Sequence, residues 1–97
     1  MSNNLSRFSR SERLLGKTAM EKLASSRVAV FGVGGVGGYC VEALARSGIG
    51  SIALIDADEV ALSNLNRQII ALSSTIGKDK VEVAKNRILD INPDCEV

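Results

Sequence analysis

The chain contains no histidine and no tryptophan, a single proline, two cysteines and only 3% aromatic residues. Without histidine, its 97 residues cannot by themselves supply a Ser–His triad, a Cys–His dyad or most zinc sites. Two cysteines, Cys40 and Cys95, are too few for a disulfide framework and suit a reducing, cytoplasmic setting. No stretch approaches the roughly 20 apolar residues of a membrane span, and the polar start does not read as a signal peptide. An excess of charge is also missing: 12 Lys+Arg against 11 Asp+Glu leaves +1. That argues against a polybasic nucleic-acid module or an acidic disordered tail, although a local basic cluster remains possible. With 45% hydrophobic residues, the composition is that of a folded chain, one domain at most.

What is present divides at residue 26. Residues 1–26 read as a helical arm. Ser9-Arg10-Ser11-Glu12 and Thr18-Ala19-Met20-Glu21 both have capping-box spacing, with Gly16 as a stop between them. Leu14, Leu15, Met20 and Leu23 offer an apolar surface, so the simplest role for the arm is a packing lid.

Residues 27–97 have the pattern of a parallel α/β unit. Arg27-Val28-Ala29-Val30-Phe31 predicts a strand buried on both faces. A glycine run, Gly32 to Gly38, follows at once. Val36, Cys40, Ala43 and Leu44 then recur at helical spacing, placing Cys40 on the core face, with Glu42 and Arg46 paired on the other side. Gly48 and Gly50 end that helix, and Ser51 to Asp56 reads as a second, parallel strand. Residues 57–75 predict irregular structure with short helical turns. A second helix is expected over 79–91, with Val81, Ala84, Ile88 and Ile91 on one face, stopped by Asn92-Pro93-Asp94. Cys95-Glu96-Val97 could open a third strand. The expected fold is a Rossmann-like parallel sheet with helices on both faces. Such sheets usually have about five or six strands, so this one is expected to be completed by chain beyond residue 97 or by a partner.

The chemistry gathers in the same stretch. Gly32, Gly34 and Gly37 fit G-x-G-x-x-G between a strand and a helix, where backbone N–H groups can approach a phosphate. Asp56, 19 residues beyond Gly37, stands where an acidic side chain accepts hydrogen bonds from an adenosine ribose. Taken alone, these features suggest an NAD-binding oxidoreductase domain. The bland alternatives are a glycine-rich turn and a solvated strand-end aspartate. The next residues favour a nucleotide with more charge. Arg67 and Lys80 are cations able to stabilise a triphosphate under displacement, usually with Mg²⁺. Asn64 and Asn66 can hydrogen-bond phosphate oxygens, and Asp58 offers a hard oxygen ligand for magnesium. A capped loop with solvated charges would look much the same.

Gly32-x-Gly34-Gly35-x-Gly37, Asp56-x-Asp58-x-Val60, Asn64-x-Asn66-Arg67-Gln68 and Lys80 together resemble the ThiF family of adenylating enzymes, the ATP-dependent activators related to ubiquitin-activating enzymes. The likeness runs from about Arg7 to Val97. Arg7-Phe8, Arg13-Leu14-x-Gly16, Glu42 to Gly50, Asn66-Arg67-Gln68-Ile69 and Ile91-Asn92-Pro93 resemble its branch of tRNA threonylcarbamoyladenosine dehydratases.

The resemblance implies that residues 27–97 are the first part of an ATP-binding domain. Gly32, Gly34, Gly35 and Gly37 would lie against the phosphates, and Asp56 would hold the ribose hydroxyls. Asn64, Arg67 and Lys80 would surround the triphosphate and serve catalysis. Arg10, or else Arg13, would be an arginine lent across a homodimer, and Asp58 would belong to the polar rim. The implied cofactors are ATP and Mg²⁺, with the main magnesium ligand beyond residue 97 and no metal ligand assigned within the chain. The substrate would be tRNA, or alternatively the C-terminus of a ubiquitin-like sulfur-carrier protein. A non-catalytic nucleotide-binding module is a further alternative, since 97 residues are too few for the complete enzyme. Cys40 and Cys95 are read as structural.

Overall fold

A computed structural model of the chain describes residues 7–97, so the first six residues of the arm lie outside the described region. Helix α1 spans Ser9–Leu15 and α2 spans Lys17–Ala24. Strand β1 (Arg27–Phe31), helix α3 (Gly35–Arg46) and strand β2 (Ser51–Ile55) follow. A short 3-10 turn at Leu62–Asn64 precedes helix α4 (Lys80–Ile91). None of these helices is long and apolar enough to cross a membrane.

β1 and β2 pair in parallel from Arg27 opposite Ser51 to Phe31 opposite Ile55, as expected of two strands joined through a helix. Beyond β2, Ile52 N–H donates to the Glu96 carbonyl at 2.8 Å and Glu96 N–H to the Gly50 carbonyl at 2.9 Å. The chain thus begins a third parallel partner on the side of β2 away from β1. The core joins Val30 and Ile52 to Val41 and Ala45 of α3 and to Ala84 and Ile88 of α4. The α4 face expected from the sequence is the one that packs, with Val81 and Ile91 at its half-buried margins.

Three expectations need correction. β1 is not buried on both faces: Val30 is in the core, whereas Ala29 is exposed and Phe31 is 79% exposed. The helices described here cover one face of the strand pair, and period-two alternation turns the other side chains outward.

The core face of α3 is also different. Val36 is 89% exposed and Cys40 and Ala43 are exposed, while Gly38, Val41 and Ala45 are buried. The cause is steric. A Cβ on Gly37 would stand 1.7 Å from the Gly32 carbonyl oxygen, so the helix approaches β1 through its glycines, and the residues one and two turns later follow them inward.

The arm, third, has no capping box at Ser9 or Thr18. Phe8 and Gly16 occupy the N-cap positions, with no side-chain cap hydrogen bond at either. Leu14 is 85% exposed and Leu15 half exposed, so these two do not dock, whereas Met20 and Leu23 are partly buried. Gly16 does separate the helices as expected, at φ 89°.

The expected Glu42–Arg46 pair is present at 3.0 Å, and a second guanidinium joins it. Arg87 of α4 donates from Nε to Glu42 Oε1 at 2.6 Å and from a terminal nitrogen to Oε2 at 3.0 Å. The Arg87 fork, opposed by burial and helped by Arg46, holds the Glu42 carboxyl down to about 2. This fork ties α3 to α4 across the top of the core, which no spacing rule could have shown.

Candidate nucleotide-binding site

The site grows from the end of β1. Gly32 continues the ladder by donating its N–H to the Ile55 carbonyl at 2.8 Å, then turns at φ 88°, a conformation that disfavours any side chain. Val33 is buried completely. Its N–H donates to Asp56 Oδ2 at 2.9 Å, and the Asp58 N–H donates to Asp56 Oδ1 at 2.8 Å. The carboxylate at the end of β2 therefore buckles the glycine turn to the following loop. Each carboxylate oxygen has a second lone pair, so both can still accept a hydroxyl.

Burial alone would raise the Asp56 pKa. The two N–H donors, from Asp58 and Val33, and the nearby Lys80 charge outweigh it and hold the carboxyl below its ordinary value. Because the folded-state pKa is depressed, the ionised buckle contributes stability above the unfolded pKa of 3.8 and loses it as pH falls through the lowered value. Asp56→Asn would set an amide donor against one of the two N–H groups. It should cost roughly 1–3 kcal/mol, measured by urea denaturation at neutral pH.

After the turn, α3 starts at Gly35 with Gly34 at its N-cap and no side chain satisfying its first N–H groups. Those donors and the helix dipole suit an anion. The loop after β2 folds back to the same place. Val60 N–H donates to the Lys78 carbonyl at 2.8 Å and Lys80 N–H to the Asp58 carbonyl at 3.0 Å. Lys80 thus opens α4 beside Asp56 and is only 7% exposed.

Asn64 is buried. Its side-chain oxygen accepts the Ala61 N–H at 2.8 Å, so it caps its own turn and keeps its amide group as a donor. Arg67 is exposed, with one terminal nitrogen donating to the Ser63 carbonyl at 3.0 Å and to Asn66 Oδ1 at 2.9 Å. Asp58 is exposed on the rim, and its backbone rather than its side chain contacts the buckle.

The fold therefore brings together the glycine turn, Asp56 and Lys80, with Asn64 and Arg67 on the adjoining turn. It does not bring Arg10 or Arg13 to them. Phe8, Glu12 and Met20 line a cavity with Gly48, at the opposite end of α3 from the glycine turn. A 12-residue helix separates the two ends by about 18 Å. Among the described residues no group of three or more carboxylates or cysteines could hold a metal ion. Cys95 is buried, and burial pushes its thiol pKa up.

Sequence reasoning missed two members of this region. The Val33–Asp56 buckle is a backbone donor invisible to any pattern. Gln68 stood in the quoted motif without a role, yet it is buried against Gly34.

Similar proteins share this arrangement of elements. The chain is 57% identical over 93 residues to tRNA threonylcarbamoyladenosine dehydratase of Bacillus subtilis, covering 96% of this chain and 37% of that protein. It is 47% identical over 79 residues to an adenylyltransferase and sulfurtransferase of Lodderomyces elongisporus, covering 81% of this chain and 17% of the other. The crystal structure of the Escherichia coli tRNA N6-threonylcarbamoyladenosine dehydratase in complex with AMP superimposes with a TM-score of 0.98 at 46% identity, over 100% of this chain and 40% of that one. The same enzyme in complex with ATP gives 0.97. The chain thus spans about two fifths or less of these relatives. The profile of the ThiF family matches residues 8–97, nearly everything described above, and the chain belongs to that family.

Proposed function

We propose that this chain is the ATP-binding part of an enzyme that activates a carboxylate as an acyl-adenylate, and that the carboxylate belongs to threonylcarbamoyladenosine in tRNA. The observation that carries this reading is the Asp56 buckle. It ties a carboxylate able to accept ribose hydroxyls to the turn that leads into the open N-terminus of α3, with the Lys80 charge nearby. Relatives with the same fold, solved with ATP and with AMP, support it.

In this reading the backbone N–H groups of Gly34 and Gly35 and the charges of Arg67 and Lys80 surround the triphosphate. The substrate carboxylate attacks the α-phosphorus and pyrophosphate leaves. An intramolecular attack on the acyl-adenylate then closes a ring and expels AMP, with net loss of water. Adenylation needs no histidine and no protein nucleophile, so positioning and charge stabilisation carry it. Mg²⁺ would travel with the triphosphate, and we assign no residue of 7–97 to it. An arm arginine, Arg10 or Arg13, would reach the site only from a second copy in a homodimer, because its own α1 sits at the far end of α3. A cytoplasmic setting accompanies this substrate.

ATP with Mg²⁺ should raise the melting temperature of the protein, and NAD should not. Stabilisation by NAD alone would overturn the adenylation reading in favour of an oxidoreductase. The relative from Lodderomyces favours a second substrate, a carrier-protein C-terminus. Formation of AMP that depends on threonylcarbamoyladenosine-containing tRNA supports the first substrate; dependence on a carrier protein supports the second.

A further inference from the structure

Gln68 is 8% exposed, and its side-chain Oε1 is buried without a hydrogen-bond partner among the described residues. Buried amides in folded proteins are normally satisfied, so an orphan calls for an explanation. The side chain lies against the start of α3: a Cβ on Gly34 would stand 3.2 Å from Gln68 Nε2 and 3.5 Å from its Cδ. The next residue repeats the relation one turn along the helix, since a Cβ on Gly38 would stand 3.2 Å from Ile69 Cγ2. At its other end, Gln68 is bound into the turn that carries the polar residues. The Gln68 N–H donates to the Asn64 carbonyl at 2.9 Å, and the Arg67 N–H donates to the same oxygen at 3.2 Å.

We propose that Gln68 is a positioning residue for the nucleotide site. Its side chain is a spacer that holds the Asn64–Arg67 turn at a fixed distance from the N-terminus of α3. The proposal rests on the nucleotide reading above. A phosphate chain held by helix N–H groups on one side and a guanidinium on the other tolerates little change in the gap between them. The contacts of Gln68 Nε2 and Cδ with the start of α3 call for a side chain of this length. The residue therefore acts through length and volume, which makes its chemistry and its size separable.

The test is ATP titration of the protein and four variants, with melting temperatures recorded in parallel. Gln68→Ala should raise the Kd for ATP about tenfold, the scale on which a small misplacement of binding groups acts. Gln68→Met, similar in length and without the orphan oxygen, should bind ATP as the unaltered protein does and melt no lower. Gly34→Ala should weaken ATP binding by pressing on Gln68, and in a Gln68→Ala background it should cost no further affinity. Wild-type affinity in Gln68→Ala, or affinity in Gln68→Met as poor as in Gln68→Ala, would overturn the spacer. The second outcome would mean that the amide group itself is used. If the unaltered protein binds no ATP, the nucleotide reading fails and the spacer falls with it. If it does bind, a negative result in Gln68→Ala removes the spacer alone.

Discussion

Gly37→Ala should lower folding stability by about 3 kcal/mol or more and abolish ATP binding by whatever protein remains folded. The added methyl would lie 1.7 Å from the Gly32 carbonyl oxygen and 2.7 Å from its carbon, both backbone atoms that cannot swing aside. Relief requires α3 to move away from β1, which opens the contact on which Val30, Val41 and Ala45 depend. The same movement displaces the helix N-terminus from Asp56. Two other glycines separate these effects. A Cβ on Gly50 would meet the Ala24 carbonyl oxygen at 1.9 Å, remote from the glycine turn. Gly50→Ala should therefore destabilise comparably while its folded fraction keeps ATP affinity. Gly35 has nothing within 4 Å of a Cβ. Gly35→Ala should fold at least as well, since alanine in a helix gains about 0.5–1 kcal/mol over glycine. Any loss of ATP affinity in that variant then measures how closely phosphate approaches the backbone. Urea denaturation and ATP titration below the transition read both quantities.

On the proposed adenylation reading, Arg67→Ala should reduce ATP–pyrophosphate exchange by the complete enzyme about 10²–10³-fold, the usual consequence of removing one donor from a developing charge. The fold should scarcely notice, with stability within about 0.5 kcal/mol of the unaltered protein. The guanidinium is exposed, and the contacts it makes are to Ser63 and Asn66 of its own turn. Those bonds hold the side chain ready without burying it. Arg67→Lys keeps the charge and loses the fork, so it should fall between the two. Unchanged exchange in Arg67→Ala removes this residue from the site. Lys80 does not allow so clean a test, because it is buried at the first position of α4 and a substitution there disturbs packing as well as charge.

Local rules served where the signal was local. The glycine turn, both strands, the α4 face and its stop at Asn92 follow from short spacings and from what glycine and proline do to a backbone. They failed on α3 and on the arm for related reasons. Apolar periodicity pointed to Val36 and Cys40, yet which side of a helix faces a strand is decided by the closest approach that the backbone allows. Here that approach runs through Gly37 and Gly38. At Ser9, capping spacing competed with the chain geometry around Phe8, whose ring packs over Gly48, and the tertiary contact prevailed.

The opening absences keep their force in a narrower form. These 97 residues offer no histidine as a general base, and the proposed phosphate-centred activation does not ask one of them. Residue types and spacings alone determined the parallel α/β class, the glycine turn for an anion, the acidic strand end and the cations that follow. Tertiary structure decided how those parts face one another. It set the Asp56 carboxylate between the Val33 and Asp58 N–H groups, wedged Gln68 against Gly34, and placed the arm at the far end of α3. The physical reason is the same in each case. These relations depend on backbone donors and on close approach between segments distant in sequence, and neither is written in any one residue's identity.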